Sequence, residues 1–290
     1  MFAGSSVALV TPMHVDGSID FSAWDRLLDM QANSGTAAVF VGGTTGESAT
    51  LTQDELFELV RRARDRLRGR LEVWAGAGRS GTVATIELAR ELAKLEIDGL
   101  LIATPAYVKP TQEGLYQHYR AIAQAVDAPI MLYNVPGRTA VDMLPDTVAR
   151  LAALPGIVAI KEATPDPARC AAILERRPGF AVFSGDDATA CESLFNGACG
   201  VVSVTGNVAP RAMADMVAAA LRGDRAAASA IDESLRGLHT DLFLETNPIP
   251  VKWALARLGL IESGIRLPLT PMTASLAPQI EAALARARLL

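Results

Sequence analysis

The sequence predicts a (β/α)8 barrel followed by a helical C-terminal extension, and three observations carry that prediction. Short apolar runs alternate with longer amphipathic segments eight times between Ser6 and Leu221. The short runs are continuously apolar, as expected of parallel strands buried on both faces. The first run ends in Thr11–Pro12–Met13, so it lacks the glycine-rich turn of a dinucleotide-binding open sheet. Eight such units favour a closed barrel.

Ser6–Val10 reads as the first strand, and Asp20–Ser34 as its helix, with Leu27, Leu28 and Met30 among the apolar positions. Ala37–Val41 precedes Thr52–Leu67, which opens on a Thr-x-x-Glu capping box of Thr52 and Glu55. Leu71–Ala75 precedes Thr82–Glu96. Leu100–Ala103 precedes Thr111–Val126, which opens on Thr–Gln–Glu. Ile130–Tyr133 precedes Leu144–Leu154, and Ile157–Ile160 precedes Asp166–Arg176. Ala181–Phe183 precedes Ala188–Phe195, and Val201–Val204 precedes Pro210–Leu221. After about residue 224 the strands cease, and Arg225–Phe243, Pro250–Leu258 and Ala274–Arg288 read as helices. The expected division is a catalytic barrel over 1–223 and an extension over 224–290.

Composition narrows the function. Of 290 residues, 50% are hydrophobic and 20% charged, enough apolar material for a large core and against wholesale disorder. A net charge of −5 speaks against a broad nucleic-acid surface. Apolar runs such as Leu100–Ala103 are too short to span a bilayer, and the first residues lack the basic start of a signal peptide. Cys170, Cys191 and Cys199 are scattered and odd in number, with no zinc spacing. The expectation is a cytoplasmic enzyme without nucleic-acid, membrane or metal partners.

Barrel chemistry sits at the C-terminal ends of the strands. Strand two ends in Gly42–Gly43–Thr44–Thr45–Gly46–Glu47–Ser48, strand four in Thr104–Pro105–Ala106–Tyr107, and strand five in Tyr133–Asn134–Val135–Pro136–Gly137–Arg138. Strand six ends in Lys161–Glu162 and strand seven in Ser184–Gly185–Asp186–Asp187. The chain takes nearly all its cations from arginine; its lysines are Lys94, Lys109, Lys161 and Lys252. Lys161 follows an apolar strand without a break. A buried amine there is either a Schiff-base nucleophile or the partner of a carboxylate such as Glu162. Lys252 reads as a packing or surface lysine. The glycine and threonine run suits a bound phosphate, a carboxylate or simply a tight turn. Tyr133 is either an acid/base group or a barrel filler, and Arg138 a carboxylate ligand or a surface arginine. The three histidines, far apart, suggest no triad or metal site, and Asp186–Asp187 reads as a helix cap.

Seven segments go further: GGTTGES (42–48), TPAYVKPTQEGLYQHY (104–119), YNVPGRT (133–139), IKEAT (160–164), SGDD (184–187), SVTGNVAPR (203–211) and NPIPVKWAL (247–255). Together they resemble the dihydrodipicolinate synthase family of pyruvate-dependent class I aldolases, which also includes N-acetylneuraminate lyase. The resemblance spans the chain, from VALVTPM to RLPLTPMT. It implies that Lys161 forms an imine with pyruvate, whose enamine attacks the aldehyde of L-aspartate 4-semialdehyde. Ring closure by the substrate's amine gives 4-hydroxy-tetrahydrodipicolinate, on the path to diaminopimelate and lysine. Tyr133 would move protons, and Thr44 would link it to Tyr107 of a neighbouring subunit. Thr45 and Val202 would hold pyruvate, and Arg138 the semialdehyde carboxylate. No cofactor is implied, and the homo-oligomer is at least a tight dimer, usually a dimer of dimers. Arg138 favours this reading over a sialic-acid or sugar-acid lyase, and the full residue set favours it over a keto-acid binder without catalysis.

The resemblance also implies a lysine-binding cleft near positions 49, 53, 56, 78, 80, 84 and 106. Here Gln53, Leu56, Ala84 and Ala106 replace the histidines, glutamate and tyrosine of strongly inhibited relatives. Weak or absent inhibition by lysine is expected.

Overall fold

The computed structural model describes residues 2–290. Eight parallel strands close on themselves in sequence order: β1 (Gly4–Ala8), β2 (Ala38–Val41), β3 (Glu72–Gly76), β4 (Gly99–Ala103), β5 (Ile130–Asn134), β6 (Ile157–Glu162), β7 (Ala181–Ser184) and β8 (Gly200–Ser203). The returning helices are α1 (Phe21–Ala32), α2 (Gln53–Leu67), α3 (Thr82–Ala93), α4 (Gln112–Ala125), α5 (Pro136–Thr139), α6 (Pro145–Leu151), α7 (Ala168–Arg176), α8 (Ala190–Phe195) and α9 (Pro210–Leu221). Beyond them lie α10 (Arg225–Asp241), α11 (Ile249–Arg257) and α12 (Ala277–Arg286). Among the described residues, no helix is long and apolar enough to cross a membrane.

Local sequence explains the element starts. Thr52 and Glu55 form the reciprocal capping box of α2, and the Thr111 hydroxyl accepts from the Gly114 amide at the head of α4. The expectation had no counterpart to α5. Its four residues, Pro136–Gly137–Arg138–Thr139, read as a turn, yet Pro136 has the fixed φ that suits a first helical position.

Strand alternation creates two cores. Residues such as Val39, Val73, Leu132, Ile160 and Val201 pack outward against the helices. Ala38, Phe40, Trp74, Met131, Ala159, Phe183 and Val202 point into the barrel. The rings of Phe2, Phe40, Trp74 and Phe183 pack with centroids 4.7–6.3 Å apart, Phe40 on Trp74 stacked and the rest tilted or edge-on, and fill the interior. Toward the strand C-termini small residues replace them, and room appears.

Candidate active site

Lys161 shares the inward parity of Ala159, so the pleat carries it into the barrel, and Glu162 points the other way. β6 continues past the expected Ile160 end through Glu162, with Lys161 in register between Tyr133 of β5 and Phe183 of β7. The lysine is therefore fixed by ladder hydrogen bonds on both sides. It is 4% exposed, and its Nζ lies 4.4 Å from the centroid of the Tyr133 ring. No carboxylate pairs with it among the described residues. Glu162 is taken up elsewhere: its oxygens accept from Asn134 Nδ2 at 3.2 and 3.0 Å and from the Thr164 amide at 2.9 Å. Burial pushes its carboxyl up, against those hydrogen bonds. The ion-pair alternative for Lys161 thus has no partner in the structure.

Gly185, quoted in the sequence only as part of a motif, makes room for this lysine. A Cβ there would sit 2.7 Å from Lys161 Cε and 2.8 Å from Ala163 Cβ. Only a residue without a side chain lets the amine lie along the strand-seven loop.

Tyr133 and Thr44 line a common cavity of about 60 Å³ with Gly42, Gly76 and Leu101. It opens into a cleft of about 470 Å³ that also presents Arg138. Thr45 is buried, and its Oγ1 accepts from Asn247 Nδ2 at 2.9 Å. The same Asn247 offers its carbonyl to Arg138 Nη2 at 3.0 Å. One residue of the C-terminal segment therefore ties the loops carrying Thr45 and Arg138 together. Sequence reasoning missed it, because its partners lie 202 and 109 residues away. Val202 is buried inside the barrel beside Tyr133. Tyr107 stands apart: it is 92% exposed, in a left-handed backbone conformation. Within this chain no hydrogen bond joins Thr44, Tyr133 and Tyr107 among the described residues.

Of its two expected readings, packing or surface, Lys252 takes the first: it is 3% exposed, and its Nζ is ion-paired with Glu47 Oε1. Glu47 is itself buried, with φ of 57° in the turn after Thr44–Thr45. Burial pulls the Lys252 ammonium down, the Glu47 carboxylate pulls it back up, and Arg266 opposes that recovery. Arg266 also donates to Thr50 O and grips Glu55, holding that carboxyl down at about 2.

The remaining motif residues have structural employment. Asp186 accepts from Thr189 N, as a cap should, and Asp187 accepts from Val204 N and Thr205 N at 2.8 Å each. His118 and His239 each meet a threonine hydroxyl, Thr82 and Thr205, at 2.9 Å. His14, Asp20 and Glu262 gather within 4.8 Å of one another. Asp20 there already caps α1, and His14 is hydrogen-bonded to Glu262 at 3.0 Å, which raises its imidazole. Of the positions expected to form a lysine cleft, Ala49, Gly78, Ser80 and Ala106 line the 470 Å³ cleft. Gln53 and Ala84 line a neighbouring hollow of about 500 Å³. Leu56 does neither: it is buried in the core against Gly42.

Comparison with known proteins follows the same lines. Residues 1–287 match the model of the family described as the dihydrodipicolinate synthetase family. A 4-hydroxy-tetrahydrodipicolinate synthase of Laribacter hongkongensis is 52% identical over 291 residues, covering all of both chains. Its namesake from Pseudomonas aeruginosa is 53% identical over 93% of each. The dihydrodipicolinate synthase of Acinetobacter baumannii, solved with pyruvate, superposes with a TM-score of 0.98 at 45% identity over the whole of both chains. A monomeric variant of dihydrodipicolinate synthase gives 0.97 at 41% identity, covering 100% of this chain and 98% of its own.

Proposed function

Because the chain belongs to the dihydrodipicolinate synthetase family, we infer that it performs the reaction for which its relatives are named, the condensation of pyruvate with L-aspartate 4-semialdehyde to 4-hydroxy-tetrahydrodipicolinate. It is a lyase-type aldolase of diaminopimelate and lysine biosynthesis. The observation that carries the mechanism is a buried amine on a strand end, facing an aromatic ring and free of any carboxylate. An amine so placed, with room beside it and no ion-pair partner among the described residues, can reach and attack the carbonyl of a bound keto acid.

In this reading Lys161 Nζ adds to the keto carbon of pyruvate, and loss of water leaves the imine. A methyl proton departs, and the resulting enamine carbon attacks the aldehyde carbon of the semialdehyde, whose oxygen takes up a proton. The product's own amine then displaces Lys161 and closes the ring. Tyr133, whose ring lies against the lysine, carries the protons. Thr45 and Val202 hold the keto acid, and Arg138 holds the carboxylate of the second substrate. Asn247, braced on both Thr45 and Arg138, keeps the two subsites at a fixed separation. Thr44 extends the proton path toward Tyr107. Since that ring lies open to solvent in one chain, it serves a neighbouring subunit's site, and the working unit is at least a dimer. The chain needs no cofactor in this scheme, because the imine nitrogen accepts the electron pair. The enzyme acts in the cytoplasm, and residues 1–223 supply the chemistry while 224–290 brace its loops.

Borohydride reduction in the presence of pyruvate tests this reading. The pyruvate-derived mass should appear on the peptide carrying Lys161. No adduct, or an adduct on Lys252, overturns the mechanism. Arg138→Ala should leave that trapping intact while weakening use of the semialdehyde roughly tenfold to a hundredfold, the worth of one charge-assisted hydrogen bond.

A further inference from the structure

The scheme above uses the inward face of β5 and β6 and leaves their outward face without a task. Tyr133 stands in register with Lys161, and the next rung pairs Asn134 with Glu162. Strand alternation turns this second pair away from the barrel interior. Both are buried, Asn134 without any exposed surface. The Asn134 carbonyl accepts from the Ala163 amide at 2.9 Å, so the backbone is held there as well.

The Asn134 side chain spends its donors and its acceptor together. Its oxygen accepts from the Met143 amide at 2.9 Å, which fixes the end of the amide that donates. Its nitrogen donates to Asp142 Oδ1 at 2.8 Å and to the two oxygens of Glu162 at 3.2 and 3.0 Å. Arg169 grips Asp142 at 3.3 and 2.8 Å, and its charge also reaches Glu162. One amide thus stands between two carboxylates beside a single guanidinium. An aspartate of the same shape would offer neither carboxylate a donor and would add a third negative charge.

These contacts join the segments that carry three of the site residues. Positions 134 and 142–143 are the two ends of the loop that carries Arg138, so the amide closes that loop at its base. Inside the loop the Thr139 hydroxyl accepts from Thr104 Oγ1 at 2.9 Å, which ties it to the end of β4. Glu162 directly follows Lys161, so the same amide fastens the loop base to the strand of the amine. We propose that Asn134 is a positioning residue, which holds the Arg138 loop at one distance from Lys161. It works from the helix side of the sheet, as Asn247 works from the C-terminal segment. The proposal rests on the catalytic reading for the roles of Lys161 and Arg138.

Asn134→Asp tests it, beside a swap that joins Asn134→Asp to Glu162→Gln. The swap keeps the charge count and reverses one hydrogen bond. In the single variant kcat/KM for the semialdehyde should fall about tenfold to a hundredfold, while borohydride trapping of pyruvate on Lys161 slows by no more than about threefold, because ladder bonds on both sides still hold the amine. The swap should recover at least about threefold of the loss. A lower melting temperature with unchanged kcat/KM overturns the proposal and leaves Asn134 a structural residue. Equal losses of trapping and turnover, the mark of a partly unfolded population, also overturn it. If the single variant does not fold, a folded swap more than about a hundredfold below the unmodified rate overturns it too. Amide hydrogen exchange over residues 135–142, read by mass spectrometry, needs no substrate: it should quicken in the single variant and slow again in the swap. Unaltered exchange there overturns the proposal, whereas an unmodified protein that traps no pyruvate counts against the catalytic reading alone.

Discussion

Lys161 and Lys252 are buried to the same depth, 4% and 3% exposed, and their surroundings could hardly differ more. Lys161 faces the Tyr133 ring across the barrel interior, with Gly185 leaving space along its chain. Lys252, on α11, is closed onto Glu47 as one half of a buried ion pair. The contrast teaches that burial alone does not decide what a lysine can do. What matters is whether the fold supplies the counter-charge. In one place the barrel withholds it by turning Glu162 to the opposite face. In the other the loop that carries Thr44 and Thr45 supplies it as Glu47, from 205 residues away, and the ion pair pins that loop to α11.

The contrast breaks first at Lys161. Lys161→Met should lower kcat by a factor of at least about 1,000, roughly 4 kcal/mol of barrel-supplied barrier reduction, with little change in melting temperature. Steady-state rates beside a thermal melt check it; a modest rate loss with a large melting shift would assign Lys161 a structural role. Lys252→Met should do the reverse. Leaving Glu47 buried and unpaired costs about 3–5 kcal/mol, or roughly 10 °C in a chain of this size. The double substitution Glu47→Gln with Lys252→Met should recover a good part of that loss in calorimetry. Borohydride labelling of Lys161 should persist in both.

His118 sharpens the rule from a third side. It too is a buried base without a carboxylate, and burial pushes its imidazole down to about 4. The unfolded chain takes up a proton near pH 6.5, and the folded chain does so only near pH 4. Stability on this account is full above pH 6.5 and falls as the pH drops between those values, by about 3 kcal/mol in all. Denaturant titrations from pH 7 to 4 should show His118→Gln with a shallower slope; an identical slope would place the acid sensitivity elsewhere. Glu55, held at about 2 by Arg266, adds its own loss only below about pH 4.5. The smallest effect is expected at Gly185. An alanine Cβ collides with the lysine's flexible stem, so Gly185→Ala should shift the amine and reduce kcat/KM for pyruvate by about tenfold. Unchanged kinetics would mean that Lys161 has another rotamer of equal competence.

Much of this was legible in sequence because it is written locally. The apolar runs place every strand, a capping box places α2 and a threonine N-cap α4, and Lys161 announces itself by following an unbroken strand. The catalytic candidates came from segments whose residues are contiguous, and their resemblance to a known family assigned the roles. What sequence left hidden depends on the meeting of distant segments. Lys252 looked peripheral because Glu47 is far away along the chain, and Asn247 looked like part of a loop for the same reason. Leu56 was counted toward a cleft because its number falls among cleft residues, but helical phase turns it into the core against Gly42.

The packed rings of Phe2, Phe40, Trp74 and Phe183 have one more effect. They seal the floor, so the barrel is a well with a single door. Whatever reaches Lys161 enters from the side of the strand C-termini, where Arg138 lines the cleft, and whatever follows settles on top of it. In the proposed reaction that sets an order: the keto acid enters first, the longer partner arrives second and traps it, and the cyclic product clears the door before another turn begins.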